Sequence, residues 1–272
     1  CSTRQELAAV AGDYRAIIAG SDQVWNIRCT DADDAYYLDF APDAEKFAYA
    51  VSFGANNPFV LQNEPGHYEA LIKDFRQICV REFNAQKWLR EATGIKVPVC
   101  LDPTMLMDRG DWEELVEVGD APIVRGDYIF YYCFSITEDI QRFLHTVSKK
   151  YHMPVYFMDA KEWTLKACWR NGIRLVKHYG PTAYLNLVKH AKIFITTSFH
   201  GTAFATLYGT CFWYIDDGNN DLKRDDRALS FLTQLGLMDR YRTISELRQM
   251  DLLQQKDYTQ ARANLVSLRR DS

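Results

Sequence analysis

Short apolar runs alternate along the chain with longer segments whose hydrophobic residues recur at helical spacing. This is the pattern of repeated β-α units around a parallel sheet. In the first half, residues 16–19, 47–53, 78–80 and 97–101 read as strands and residues 4–10, 68–75, 83–92 and 111–118 as helices. Thr93-Gly94 ends the third of these helices as a left-handed C-cap requires, and Asp102-Pro103 closes the fourth strand. The second half repeats the scheme, with strands at 128–134, 155–158, 193–196 and 211–215 and helices at 138–150, 181–191, 199–208 and 227–235. Pro181 suits a first helical turn, after which Tyr184, Leu187, Val188 and Ala191 fall on one face. A last helix at 258–268 has no strand after it and is expected to pack back on the first domain.

A length of 272 residues predicts two α/β domains. The shift to small, turn-forming residues over 119–126 marks the expected boundary, giving domains at 1–122 and 123–245 and a helical tail at 246–272. The chain opens on Cys1 and soon enters a helix, so it is expected to begin inside a longer product.

Hydrophobic and charged fractions of 47% and 25% are ordinary for a globular protein. A net charge of −4 with mixed signs gives no basic face for nucleic acid. No apolar run approaches the roughly 20 residues of a membrane span. The seven cysteines form no C-x-x-C pair, which predicts reduced core thiols in a soluble, cytoplasmic protein. Cys79, Cys100, Cys133 and Cys211 fall in expected strands, where a thiol acts as a small hydrophobe.

Four segments could carry chemistry. In IFITTSFHGTAFATLYG, residues 193–209, a buried strand gives way at once to an apolar helix. Ligands of open α/β sheets bind beyond the carboxyl ends of strands, where helix N-termini offer free N–H groups. Ser198 can cap that helix, His200 lies in its first turn, and Gly201 permits close approach; the plainer alternative is that Ser198 only caps and His200 only packs. In DGNNDLKRDDRALS, residues 217–230, Lys223, Arg224 and Arg227 could form a cationic wall with Asp225 and Asp226 at the helix start, although a solvated helix entry explains the same charges. Arg81 follows a strand and opens a helix, so its guanidinium suits bidentate anion binding or, equally, a tether to Glu82 or another carboxylate. Gly20, Ser21 and Asp22 form a sharp turn after the first strand, and Ser52-Phe53-Gly54 repeats the strand-then-glycine arrangement. No G-x-G-x-x-G, P-loop, H-E-x-x-H or cysteine–histidine cluster is present, so nothing points to a nicotinamide, ATP or metal site.

Taken together, GSDQVW at 20–25, AVSFG at 50–54, VRE at 80–82, LDPT at 101–104, SFHGTAFATLYG at 198–209 and DDRALSFLTQLGL at 225–237 resemble the polysaccharide pyruvyl transferase family, in its order and over nearly the whole chain. The resemblance implies a GT-B-like fold of two Rossmann-like domains facing a cleft. The second domain would carry the donor site. It implies transfer of the pyruvyl group of phosphoenolpyruvate to two hydroxyls of a saccharide, forming a ketal, with no metal and no cofactor. By the family's pattern His200 is the general acid, and Arg81 and Arg227 match its anion-binding positions, with Lys223, Arg224, Ser198 and Gly201 beside them. Gly20, Ser21, Asp22, Ser52 and Gly54 would line the cleft. Two departures stand out. Many members carry a basic residue two places before the histidine, where this chain has Ser198. The family also begins with a further strand-loop-helix unit, which the first domain is expected to lack. A GT-B glycosyltransferase with a nucleotide-sugar donor and a non-catalytic carbohydrate-binding relative are the alternative readings, and a homo-oligomer is compatible with each. Trp25, Trp163 and Trp169 are candidate stacking platforms, and the loop at 159–177, with Arg170, is the candidate acceptor contact.

Overall fold

Parallel pairing runs through both sheets of the computed structural model, which describes residues 3–62, 65–133, 135–216 and 226–272. The chain forms two units, one of Cys1–Leu106, Asp221–Phe231 and Val266–Ser272, the other of Met107–Asn220 and Leu232–Leu265.

The first unit contains α1 (Arg4–Ala11), β1 (Ala16–Ala19), β2 (Glu45–Val51), α2 (His67–Lys73), β3 (Phe75–Val80) and α3 (Phe83–Thr93), with the strands in the order β1-β2-β3. Trp25, Phe53, Ile72, Val80 and Leu89 are among its fully buried side chains. The expected strand at 97–101 is a single bridge, Val80 to Val99. Pro98 offers a carbonyl to the Val80 N–H but has no N–H of its own to continue the ladder. The pairing of β2 with β3 slips between Ala48 and Val51, and Ala50 takes a left-handed φ of 50°. Its N–H is satisfied by Cys79 Sγ at 3.2 Å and its carbonyl by the Ser21 hydroxyl at 3.0 Å.

The second unit holds α4 (Arg109–Leu115), β4 (Ile129–Tyr132), α5 (Glu138–Tyr151), β5 (Val155–Phe157), α6 (Ala160–Leu165), β6 (Ile173–Leu175), α7 (Pro181–His190), β7 (Ile193–Thr196), α8 (Phe199–Tyr208) and β8 (Phe212–Asp216). After α9 (Asp226–Leu235), whose residues are divided between the units at Phe231/Leu232, it continues with β9 (Tyr241–Thr243) and α10 (Ile244–Gln249). The last helix, α11 (Thr259–Asp271), belongs to the second unit through Leu265 and to the first from Val266. The strands pair in the order β6-β5-β4-β7-β8-β9, a Rossmann-type arrangement. All four residues of β7 are buried, which is why it reads as an unbroken apolar run rather than an alternating one.

Several sequence expectations shift. The stretch 119–126 is not a linker: Asn186 on α7 donates to the carbonyls of Gly119 (3.2 Å) and Ala121 (3.0 Å) and accepts from Ile123 N–H (3.0 Å), so this turn belongs to the second unit. The segment 159–177 is not an open loop but carries α6, a 3₁₀ turn at Cys168–Asn171 and β6. Cys79 lies within β3, but Cys100, Cys133 and Cys211 sit beside strands rather than in them; all four are buried, free thiols. Among the described residues no helix is long and apolar enough to cross a membrane.

Candidate functional site

In the second unit, β4 and β7 are neighbours whose onward connections run to opposite sides of the sheet, through β5 and β6 one way and β8 and β9 the other. Ligands of such sheets bind beyond the carboxyl ends of the strands at this switch point. His200 follows directly after β7. Its turn is built by its neighbours. Thr196 Oγ1 donates to the Tyr132 carbonyl on β4 (2.8 Å) and accepts from Ser198 N–H (2.9 Å). Ser198, the N-cap of α8, accepts from Gly201 N–H at 3.2 Å. A Cβ on Gly201 would lie 2.5 Å from Thr196 Oγ1 and 3.2 Å from Phe194 Cζ, so any side chain there would force α8 away from β7. Ser198 and Gly201, expected as donor contacts, thus have structural tasks: one caps the helix and the other admits it to the sheet. His200 is half-buried in the first turn, its ring edge-on to Phe199 at 5.3 Å.

In the first unit, the carboxyl ends of the strands gather a network of charged side chains. Of the two readings of Arg81, an anion clamp or a tether to a carboxylate, the described contacts are those of a tether: it is buried, Nη1 donates to Asp102 Oδ2 at 2.5 Å and Nη2 to Asp22 Oδ1 at 3.0 Å. Asp102 also accepts from the Ser21 hydroxyl (2.9 Å) and from Thr104 N–H (3.0 Å) and hydroxyl (2.7 Å). Asp22, with a left-handed φ of 79°, keeps 58% of its side chain exposed. Gly20 faces open space, whereas Gly54 (φ 55°) is pressed against the amides of Gln23 and Asn26, where a Cβ would collide.

Glu82 is the residue that sequence reasoning underrated. It is fully buried, and its Oε1 accepts from Ser52 Oγ (2.7 Å), Phe53 N–H (2.8 Å) and Gly54 N–H (3.3 Å), which ties the end of β2 to the start of α3. Its Oε2 is buried with no hydrogen-bond partner among the described residues. Burial pushes its pKa up to about 6, against the pull of the Arg81 charge, the Ser52 hydroxyl, the Arg227 charge and Phe53 N–H. A carboxyl with a raised folded-state pKa stabilises the fold below its unfolded value and loses that contribution as pH rises through the folded one. Wild-type stability relative to Glu82→Gln is therefore expected to fall between pH 4.5 and about 6, read as the difference in Tm across that window.

Arg227, half-buried on α9, lies in the same unit. The Ser230 hydroxyl accepts from Phe83 N–H (3.0 Å), setting the start of α9 beside the start of α3, and the Arg227 charge is felt at both Glu82 and Cys29. Lys223 and Arg224 lie outside the described residues. The tryptophans separate: Trp25 is core, stacked on Tyr37 at 4.8 Å, whereas Trp169 is 48% exposed beside Trp163, whose indole N–H donates to the Ile173 carbonyl. Among the described residues no group of three histidine, cysteine or acidic side chains is placed to hold a metal ion.

The sequence profile described as "Polysaccharide pyruvyl transferase" matches residues 2–219. No curated protein matches the chain. Among solved structures, UDP-GlcNAc 2-epimerase from Neisseria meningitidis, bound to UDP-GlcNAc, is similar over 99% of this chain and 80% of its own, with TM-score 0.53 and 12% identity. A putative UDP-N-acetylglucosamine 2-epimerase from Listeria monocytogenes is similar over 96% and 72%, with TM-score 0.58 and 10% identity. An S. aureus MnaA–UDP co-structure is similar over 96% and 76%, with TM-score 0.57 and 11% identity. At such identities the likeness is one of fold alone, a GT-B-type α/β architecture with parallel sheets.

Proposed function

The chain belongs to the polysaccharide pyruvyl transferase family, and from that premise we propose that it moves the pyruvyl group of phosphoenolpyruvate onto two hydroxyls of one sugar in a cell-surface polysaccharide or its precursor. The observation that carries this reading is the half-buried His200 in the first turn of α8, at the sheet's switch point. An imidazolium there protonates the donor's methylene carbon, which leaves an oxocarbenium-like centre at the carbon bearing phosphate and carboxylate. One sugar hydroxyl adds to that carbon and releases its proton, which restores the imidazolium. A second hydroxyl of the same sugar then displaces phosphate, forming the second C–O bond of the ketal as the C–O bond to phosphate breaks and its proton passes to the leaving group. None of these steps calls on a metal.

The N–H groups at the start of α8 suit an anionic group of the donor. Ser198, standing where many relatives carry a basic residue, supplies no charge, so that share of the donor's grip falls to other groups. In the first unit Arg81 already holds two carboxylates, of which Asp22, 58% exposed against 3% for Asp102, is the more loosely held.

The test is phosphate release from phosphoenolpyruvate across a panel of saccharides, with the product mass checked for the ketal. Release that depends on the saccharide supports the reading. Absence of release together with saturable thermal stabilisation by UDP alone would replace it with a nucleotide-sugar transferase.

A further inference from the structure

Two thiols meet in the first unit, where residues 97–102 run beside β3. The pairing there is the single bridge of Val80 to Val99, made by Val80 N–H on the Pro98 carbonyl (3.1 Å) and Cys100 N–H on the Val80 carbonyl (2.8 Å). Side chains of paired extended segments alternate between faces, so alternate residues on either side of the bridge share one face. Arg81 and Asp102 are one pair on that face, in direct contact. Cys79 and Cys100, each two positions earlier, are the next, and a hydrogen bond joins their side chains. A second donor reaches the same sulfur: Ala50, at the slip between β2 and β3, points its N–H at Cys79 Sγ at 3.2 Å. Hydrogen bonding from Cys100, with a smaller share from Ala50, holds the Cys79 thiol below its ordinary pKa against the effect of burial. Burial instead pushes up the thiols of Cys29, Cys133, Cys168 and Cys211. A thiol that only fills core space needs neither donor nor partner.

We propose that Cys79 and Cys100 form a redox-active thiol pair oxidised by hydrogen peroxide, with Cys79 as the nucleophile and Cys100 as the resolving thiol. Cys79 sulfur attacks one peroxide oxygen, the O–O bond breaks, and the departing hydroxyl takes the Cys79 proton as water, which leaves a sulfenic acid. Cys100 sulfur then attacks Cys79 sulfur. The S–S bond forms as the S–O bond breaks, and the second hydroxyl leaves as water with the Cys100 proton. The protein has lost two hydrogens and one peroxide has become two waters. Access comes through the segment itself. Two backbone bonds hold it to β3, and Pro98 has no N–H to add another, so it can part locally and admit an oxidant hardly larger than water. The disulfide would tie covalently to β3 the segment that carries Asp102, the buried partner of Arg81. No step of the transfer proposed above uses either thiol.

Peptide mapping of the full chain tests the pair, after a few equivalents of hydrogen peroxide and alkylation of the thiols that remain. Trypsin is expected to release residues 77–81 joined to residues 97–109, and a reductant to separate them. The Cys79 thiol should be lost at least about ten-fold faster than those of Cys133, Cys168 and Cys211. Cys100→Ala should stop Cys79 at a sulfenic acid that dimedone traps and that excess peroxide carries on to the irreversible sulfinic acid, whereas Cys79→Ala should leave Cys100 reduced. Three results would each overturn the proposal: both thiols still reduced in the native chain, a link that forms only after unfolding in urea, or Cys79 oxidising no faster than the other buried thiols. All three are read on the wild-type chain, so none depends on a variant that folds.

Discussion

Replacing His200 by alanine is expected to lower the rate of pyruvyl transfer by about 100-fold or more, the range a positioned general acid contributes. The donor's methylene carbon is a weak base, and without an acid held against it the first step falls back on water. The fold should tolerate the change. His200 is half-buried, and the substitution leaves in place the Ser198 cap on Gly201 N–H, the Thr196 hydroxyl on Ser198 N–H, and the bare Cα of Gly201 against β7. Turnover should therefore collapse while the chain still folds. Initial rates of phosphate release and a melting curve on the same sample read both. A variant that keeps wild-type turnover would remove the imidazole from the chemistry and leave a binding protein of the same fold.

That expectation was within reach of the sequence because β7 and α8 announce themselves locally. Three apolar residues and a threonine, a capping serine and an apolar helix fix the bounds Ile193–Thr196 and Phe199–Tyr208 without help from the rest of the chain. What the sequence could not supply is the order of strands. That His200 lies at a switch point depends on β4 pairing with β7 rather than only with β5, a long-range choice that no local pattern encodes. The same limit hid the short edge strands β6 and β9, whose three residues each are too few to show a period.

Charge partners were hidden for the same reason. Arg81 was correctly placed at a strand end, but its carboxylates arrive from 21 and 59 residues away, so no local pattern could choose between an anion clamp and a buried tie. Glu82 left a faint local trace. It occupies the N-cap of α3, where serine, threonine, aspartate or asparagine is usual, and makes no cap bond there. A glutamate in that position that does not cap has a different partner, and here the partner is the Ser52-Phe53-Gly54 turn. Trp25 misled in the opposite direction, because an aromatic residue in a polar turn looks like a platform until the turn folds inward over a core.

Arg81→Met is expected to destabilise the first unit by about 3–5 kcal/mol, the usual effect of stranding one member of a buried ion pair, and to lower its Tm by roughly 10 °C. The charge that remains is Asp102, 3% exposed and held by Ser21 and Thr104, so it cannot turn to water for relief. Asp22 has that freedom, being 58% exposed, and should contribute little to the loss. The double variant Arg81→Met/Asp102→Asn removes the Asp102 charge too and leaves only the Glu82 carboxyl, which burial already favours in its neutral form, so it should be more stable than Arg81→Met alone even though it carries one more substitution. Melting curves of wild type, both single variants and the double variant form a complete cycle. A double variant no more stable than Arg81→Met would show that the guanidinium contributes by packing rather than by pairing. An Arg81→Met protein that melts with wild type but binds phosphoenolpyruvate poorly would return this arginine to the donor, since only a side chain free to leave its carboxylates could be lost at so little expense to the fold.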